Sequence, residues 1–234
     1  MTTTGQPEFL PSTGEIRDAI ADEIATLGGV VSDVFDDGQR LFVRAILVSD
    51  AEVQPGDTIR AGIAVRVTGL EIAVHPYTYR EICTNGAIAA YALESRVVER
   101  AEQTEAFAPA YALALTWKNL RETIRACASK DAFETVVDDM RSASTVHADV
   151  SLQLLSSLSR FPGDVVSSVL PQIMQRFAAG GDQSASGLMN AVTSVARDTQ
   201  DAALRWDLEV LGGGIPARLV RKVEKARVAA GAVA

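Results

Sequence analysis

From Tyr77 to Ala87 the chain reads Tyr-Thr-Tyr-Arg-Glu-Ile-Cys-Thr-Asn-Gly-Ala, a stretch that holds one of the two cysteines and two of the four tyrosines. Cys83 is a potential nucleophile. A nucleophilic thiol needs a base within hydrogen-bond reach, and His75 is the nearest histidine in sequence. No acid is suggested behind that histidine, so a small thiol packed under a turn is the favoured reading. A thiol enzyme using Cys83 stands as an alternative. Arg80 beside Tyr77 and Tyr79 suggests different chemistry. Cations track phosphates while aromatic rings stack bases, as in a groove for single-stranded nucleic acid. Arg60 and Arg66 fall at outward positions of an alternating strand, and Lys118, Arg121 and Arg125 fall three and four residues apart on a helix. These eight residues form the candidate contact set for single-stranded DNA. The competing reading is a solvated face laced with ion pairs.

Other constellations carry less. The pair Asp36-Asp37 is explained by a hairpin, and on a helix Asp138 and Asp139 point about a quarter-turn apart. The two cysteines, Cys83 and Cys127, and the two histidines lack ligand spacing, so no metal is expected. Gly212-Gly213-Gly214 has neither the strand before it nor the Lys-Ser/Thr after it that a phosphate loop requires. No catalytic residues and no cofactor are expected.

The elements that must position these groups are legible from periodicity. Ser12 and Glu15 have capping-box spacing, and Ile16, Ile20, Ile24 and Leu27 then form one apolar stripe ended by Gly28-Gly29. Strands follow: Val30 to Phe35, a hairpin at Asp36-Asp37-Gly38, Leu41 to Val48, a turn at Pro55-Gly56, Thr58 to Thr68, and Leu70 to about Tyr79. Asn85-Gly86 reads as a turn with Gly86 at positive φ. The Ala-rich stretch from Ala87 to Arg100 favours helix. Helices are read through Tyr111–Cys127, from Asp131 to Arg141, over Val150–Leu158, after a cap at Asp164, and from Ser184 to Arg205. After a loop at Gly212–Gly214, Pro216 opens a basic helix carrying Arg218, Arg221, Lys222, Lys225 and Arg227. The predicted fold is therefore α+β: an N-terminal helix, an antiparallel meander of about four strands, then a mostly helical C-terminal half. The expected organisation is a flexible arm over 1–11, a meander region over 12–100, a helical region over 101–211, and the glycine loop with its basic helix over 212–234.

Composition sets the limits. With 47% hydrophobic and 22% charged residues, the chain can bury a core and is not disordered in bulk. A net charge of −8 argues against a broad basic surface for duplex DNA. The charge is unevenly spread: residues 1–37 hold one basic and eight acidic groups, whereas residues 200–234 hold six basic and four acidic. No apolar run is long enough for a membrane span, and no signal-like start is present. A soluble protein of a reducing compartment is expected.

Two motifs carry a resemblance. Asp57-Thr58-Ile59 and Gly62-Ile63-Ala64-Val65, followed by Arg80 and then Cys83-Thr84-Asn85-Gly86, are the first. Asn190-Ala191-Val192-Thr193 with Leu208-Glu209 and Gly212-Gly213 is the second. In this order and spacing they resemble the phage/plasmid-like protein family of unknown function found on plasmids, prophages and phages. Arg66-Val67-Thr68 stands where many members carry Asn-Ser, and the histidine that often follows Cys-Thr-Asn-Gly has no counterpart before His147. The resemblance implies a mobile-element protein in a bacterial cytoplasm and assigns no activity. The helix–meander–helix order is also similar to the ring-forming single-strand annealing proteins of the Rad52-like group. The expected function is thus non-enzymatic: binding or annealing single-stranded DNA as a homo-oligomer. A self-assembling or protein-binding module is the alternative.

Overall fold

A computed structural model describes residues 11–99, 109–147 and 157–231. The arm before Pro11 and most of Val150–Leu158 lie outside the described residues. The order is α1 (Thr13–Thr26), β1 (Val30–Asp36), β2 (Arg40–Gln54), β3 (Asp57–Thr68), β4 (Glu71–Arg80), β5 (Asn85–Ile88) and β6 (Arg96–Glu99). Then come α2 (Pro109–Cys127), α3 (Lys130–Ala143), α4 (Gly163–Gly180), α5 (Ala185–Asp198), α6 (Ala202–Gly213) and α7 (Ile215–Gly231). The chain is an N-terminal helix, a curled antiparallel sheet, and a helical C-terminal half, an α+β fold.

Local chemistry explains the first third. Ser12 accepts from the Glu15 backbone at 3.2 Å while Glu15 accepts from the Ser12 N–H at 2.8 Å, closing the capping box. Thr13 donates to Asp36 at 2.9 Å, tying the start of α1 to the first hairpin. Gly38, Gly56 and Gly69 all have positive φ, and each makes one of the tight connections of the meander. The strands run β1-β2-β3-β4-β5, with β6 also pairing β4.

The sheet has two distinct faces. Residues opposite each other in an antiparallel pair point to the same side. One face carries Leu41, Val43, Ile59, Ile63, Val65 and Val74. It is covered by Ile16, Ile20 and Ile24 of α1, by Leu120 and Ile124 of α2, and by Val136, Val137 and Met140 of α3. The second face carries Phe42, Ala64 and Tyr77, and Trp206 of α6 seals it. Both faces of the central strands are therefore buried, which gives the α6 side of the sheet a core of its own.

Several elements depart from their sequence reading, for tertiary reasons. Among the described residues the sheet has six strands where about four were expected. The stretch after Asn85 is strand and turn rather than helix, because β5 and β6 continue the pairing on β4. Its small side chains let helices come close. Gly212-Gly213 is helix rather than loop: a Cβ on Gly213 would lie 2.2 Å from the Ile88 carbonyl oxygen, and one on Gly212 would lie 2.6 Å from a Thr193 methyl. These glycines serve close approach of α6 to β5 and α5. The helix read over Ser184–Arg205 breaks between Asp198 and Ala202, where Asp201 caps α6 by accepting from the Leu204 backbone at 2.7 Å. The cap residue of α4 is Pro162, and Asp164 sits in its first turn.

Candidate ligand pocket and cationic surfaces

The Cys-Thr-Asn-Gly stretch forms the connection between β4 and β5. The bend is made by residues 81–84, with Thr84 at φ 53°, so Asn85-Gly86 opens β5 and Gly86 does not take positive φ. Thr84 is held there by its hydroxyl, which donates to the Cys83 carbonyl at 2.8 Å. Across this turn Arg80 and Asn85 stand opposite each other in register. Of the second motif, Asn190–Thr193 lies on α5, whose start is capped by Ser184, and Leu208-Glu209 and Gly212-Gly213 lie on α6.

The two motifs meet in space. Asn85 Nδ2 donates to the Asn190 carbonyl at 3.5 Å, and Arg197 Nη1 donates to the Cys83 carbonyl at 2.6 Å. Between the turn, the end of α4 and the buried side of α5 lies a cavity of about 390 Å³. Its wall includes Asp57, Arg80, Cys83, Asn85, Asn190 and Ser194. Arg80 forms an ion pair with Asp57. Arg176, also on the wall, donates to Ser194 at 2.7 Å and to Asp198 at 2.8 Å. The Arg197 hydrogen bond, with Arg176 behind it, holds the Asp198 carboxyl below its ordinary value. Thr193 is turned inward instead: its hydroxyl donates to the Met189 carbonyl at 3.0 Å, and it borders a void of only about 10 Å³ beneath Arg80 and Asn85. A larger hollow of about 680 Å³ lies between β6 and α2.

The candidate DNA-contact residues do not form one surface. Arg60 and Arg66 share the α6 face of the sheet with Tyr77 and Tyr79, but Arg80 pairs with Ile59 and lies on the opposite face. Arg80 is buried against Asp57, so the expectation that it faces a partner is corrected. Tyr77 is 4% exposed, and burial drives its phenol pKa far above the ordinary value. Such a ring packs the core and is closed to a stacking base. Arg66 lies over the Trp206 ring at 5.7 Å and 3.9 Å from Asp207. Arg60 and half-buried Tyr79 remain at the open end of that face, with Arg60 bound to Glu81 at 2.6 Å. On α2, Lys118 lies 3.8 Å from Glu122. Arg121 and Arg125 reach buried Glu23 of α1, at 3.9 and 2.6 Å. Their nearest role is to hold α2 to α1.

His75 shares the Tyr77 face and packs against Trp206 with ring centroids 5.9 Å apart. Burial, with Arg66 nearby, pushes its pKa down to about 4. It points away from the face on which Arg80 and Asn85 line the cavity, so it is not the base that Cys83 would need. His147 hydrogen-bonds the Gln183 carbonyl at 2.9 Å. Cys127 is buried, its thiol pushed up to about 12 by desolvation. Among the described residues no group of three His, Cys, Asp or Glu is arranged to hold a metal ion.

Sequence reasoning missed a buried charge network. Arg44 donates to Glu209 at 2.7 Å and to Asp33 at 2.9 Å, and Arg205 reaches the same two acids at 3.2 and 3.1 Å. Arg44 and Glu209 are each 1% exposed. Burial pushes the Glu209 carboxyl above its ordinary value, against the pull of Arg44 and Arg205. The available signal was Glu209 itself, a lone acid inside Leu208-Glu209-Val210-Leu211. No family model, curated protein or solved structure matches this chain. No helix of the described residues is long and apolar enough to cross a membrane.

Proposed function

We propose that this protein binds single-stranded DNA as a homo-oligomer and catalyses no reaction on it. The observation that carries the reading is the surface of α7. Arg221, Lys222 and Lys225 are exposed and recur at three- and four-residue steps along the helix, one turn after Arg218, whose guanidinium donates to the Gly214 and Leu211 carbonyls. No ion pair neutralises Arg221, Lys222 or Lys225 among the described residues, in contrast to Arg60, Arg80, Arg121 and Arg125. Arg160 adds a further cation. It lies close enough to Arg218 to depress that guanidinium's pKa, although burial is the larger cause. Phosphates would relieve such crowding, and Phe161, 5.1 Å under the Arg160 guanidinium, supplies a ring for a base. The contact surface thus moves from the sheet to the C-terminal helix. An accessory role on a phage or plasmid, within a bacterial cytoplasm, belongs to the same proposal and rests on the two motifs.

Converting Arg221, Lys222 and Lys225 together to glutamine should flatten the salt dependence of single-strand binding by about 2 in log–log slope, at about 0.7 per phosphate contact. Fluorescence anisotropy with a labelled oligothymidylate at several salt concentrations measures it. Arg60→Gln should leave the slope unchanged. An unaltered slope in the triple variant rules out α7 as the contact face.

Self-assembly is favoured by β1. This strand pairs only with β2 among the described residues, and Val30, Val31, Val34 and Phe35 are exposed on it. An open, β-branched edge is a template for another strand, and a second copy of β1 would satisfy its free N–H and C=O groups. Val34→Lys should therefore reduce the light-scattering mass toward the monomer. A wild-type protein that scatters as a monomer at every concentration removes this reading.

A further inference from the structure

We propose that helix α1 of a second copy docks on the basic face of α7 and competes there with single-stranded DNA. Both helices bury one side and expose charges on another. On α1, Ile16, Ile20 and Ile24 are buried, and Glu15, Asp18 and Asp22 are exposed on the opposite side. Successive helical residues turn by about 100°, which sets these three acids within about 60° of one another. On α7, Ile215, Ala217 and Leu219 are buried, and Arg221, Lys222 and Lys225 are exposed. The two patterns are complementary in sign and equal in spacing. Glu15 and Asp18 stand three residues apart, and so do Lys222 and Lys225. Asp22 follows Asp18 by four, and Arg218 precedes Lys222 by four. Antiparallel helices therefore set Glu15 against Lys225, Asp18 against Lys222 and Asp22 toward Arg218, over about 10 Å of helix.

The charges are left over from the fold of a single copy. Asp22 has no ion pair among the described residues, and Asp18, whose side chain is 70% exposed, pairs only with its neighbour Arg17. Within one chain α1 packs on β1, β2 and α2, whereas α7 packs on α3, α5 and α6, and no ion pair joins the two helices among the described residues. A second copy carries the matching stripe, which makes it the occupant. The contact is head-to-tail, since each copy offers one α1 and one α7, and β1 takes no part in it. The competition rests on the reading of α7 as the DNA face; the contact between copies does not. An acidic helix would hold the cations until a strand, with a phosphate at every nucleotide, displaces it. Salt weakens both interactions.

Sedimentation velocity at about 50 mM salt tests the contact without DNA, in a Val34→Lys background that removes pairing through β1. One variant reverses α1, with Asp18→Lys and Asp22→Lys. Another reverses α7, with Arg221→Glu, Lys222→Glu and Lys225→Glu. The parent should associate as its concentration rises, each variant alone should sediment as a monomer, and an equimolar mixture of the two should associate again. Both variants stay net negative, so association of the mixture reports the helices and not the overall charge. For the competition, Asp18→Asn with Asp22→Asn should tighten oligothymidylate binding about fivefold, the scale of two exposed ion pairs. Asp50→Asn with Glu71→Gln, at two other exposed acids, changes the net charge equally and should leave the affinity unchanged. A monomeric parent, single variants that associate like the parent, or a mixture that stays monomeric would each overturn the contact. Equal tightening by the two neutral pairs would overturn the competition. A parent that binds no DNA while the charge exchange holds would remove the DNA reading and leave the contact standing.

Discussion

Replacing Glu209 by alanine should destabilise the protein by about 3–5 kcal/mol, the usual consequence of removing one partner of a buried ion pair. Arg44 would then keep only Asp33, whose side chain is 39% exposed, and Arg44 Nη2 already has no hydrogen-bond partner. A guanidinium sealed beneath Trp206 and beside Phe42 cannot regain water without opening the α6 face of the sheet. The loss therefore exceeds the worth of one hydrogen bond, because it includes an uncompensated buried charge. Converting both residues to leucine should restore most of the stability, since an apolar pair of similar size is often no worse than a buried ion pair. Urea denaturation of the wild type, the single variant and the double variant measures the cycle. A single-variant loss below about 1 kcal/mol, the scale of a surface ion pair, would show that the network is solvated rather than buried.

Gly86→Ala should cost about 1–3 kcal/mol, the range for forced overpacking. Its new Cβ would lie 1.9 Å from Tyr77 Oη and 2.4 Å from two ring carbons. The ring has no free direction of retreat, because its other edge already lies over Gly62, where a Cβ would come within 2.7 Å of Cδ1. Two glycines on neighbouring strands thus seat one buried tyrosine. Shrinking the ring should relieve the clash, so Gly86→Ala combined with Tyr77→Leu should lose less than the two single losses added. Thermal unfolding of the four proteins shows whether the terms couple. Strict additivity would mean that Gly86 is needed for some other reason.

That pairing of Gly86 with Tyr77 shows where sequence reasoning succeeds on this chain and where it stops. The capping box, the isoleucine stripe of α1 and the three glycine connections were legible because a few neighbouring residues determine them. Asn85-Gly86 carries the same local turn signature, yet the glycine answers to a ring on another strand. Gly212-Gly213 looks like a helix stop and is a helix contact, because Ile88 and Thr193 lie far away in sequence. Arg80 was the instructive error among the candidate site residues. Its face depends on register, and Gly69-Leu70 sets that register by pairing Thr68 with Glu71. Counting outward from that two-residue turn places Arg80 opposite Ile59, on the other face from Arg60 and Arg66. The convergence of the Cys83–Gly86 and Asn190–Thr193 stretches could not be read from spacing, since Asn85 and Asn190 lie 105 residues apart in sequence. Glu209 was visible as an anomaly, but its partner Arg44 sits in a strand where an alternating arginine looks solvated until α6 covers it.

The most direct measurement is the titration of wild-type protein with a labelled single-stranded oligonucleotide at about 50 and about 200 mM salt, the span over which phosphate contacts weaken most visibly. Binding at the lower salt that falls steeply at the higher is the expected result, given the exposed cations of α7 on a chain of net charge −8. No binding at the lower salt, where the electrostatic attraction is strongest, would contradict the DNA-binding reading outright.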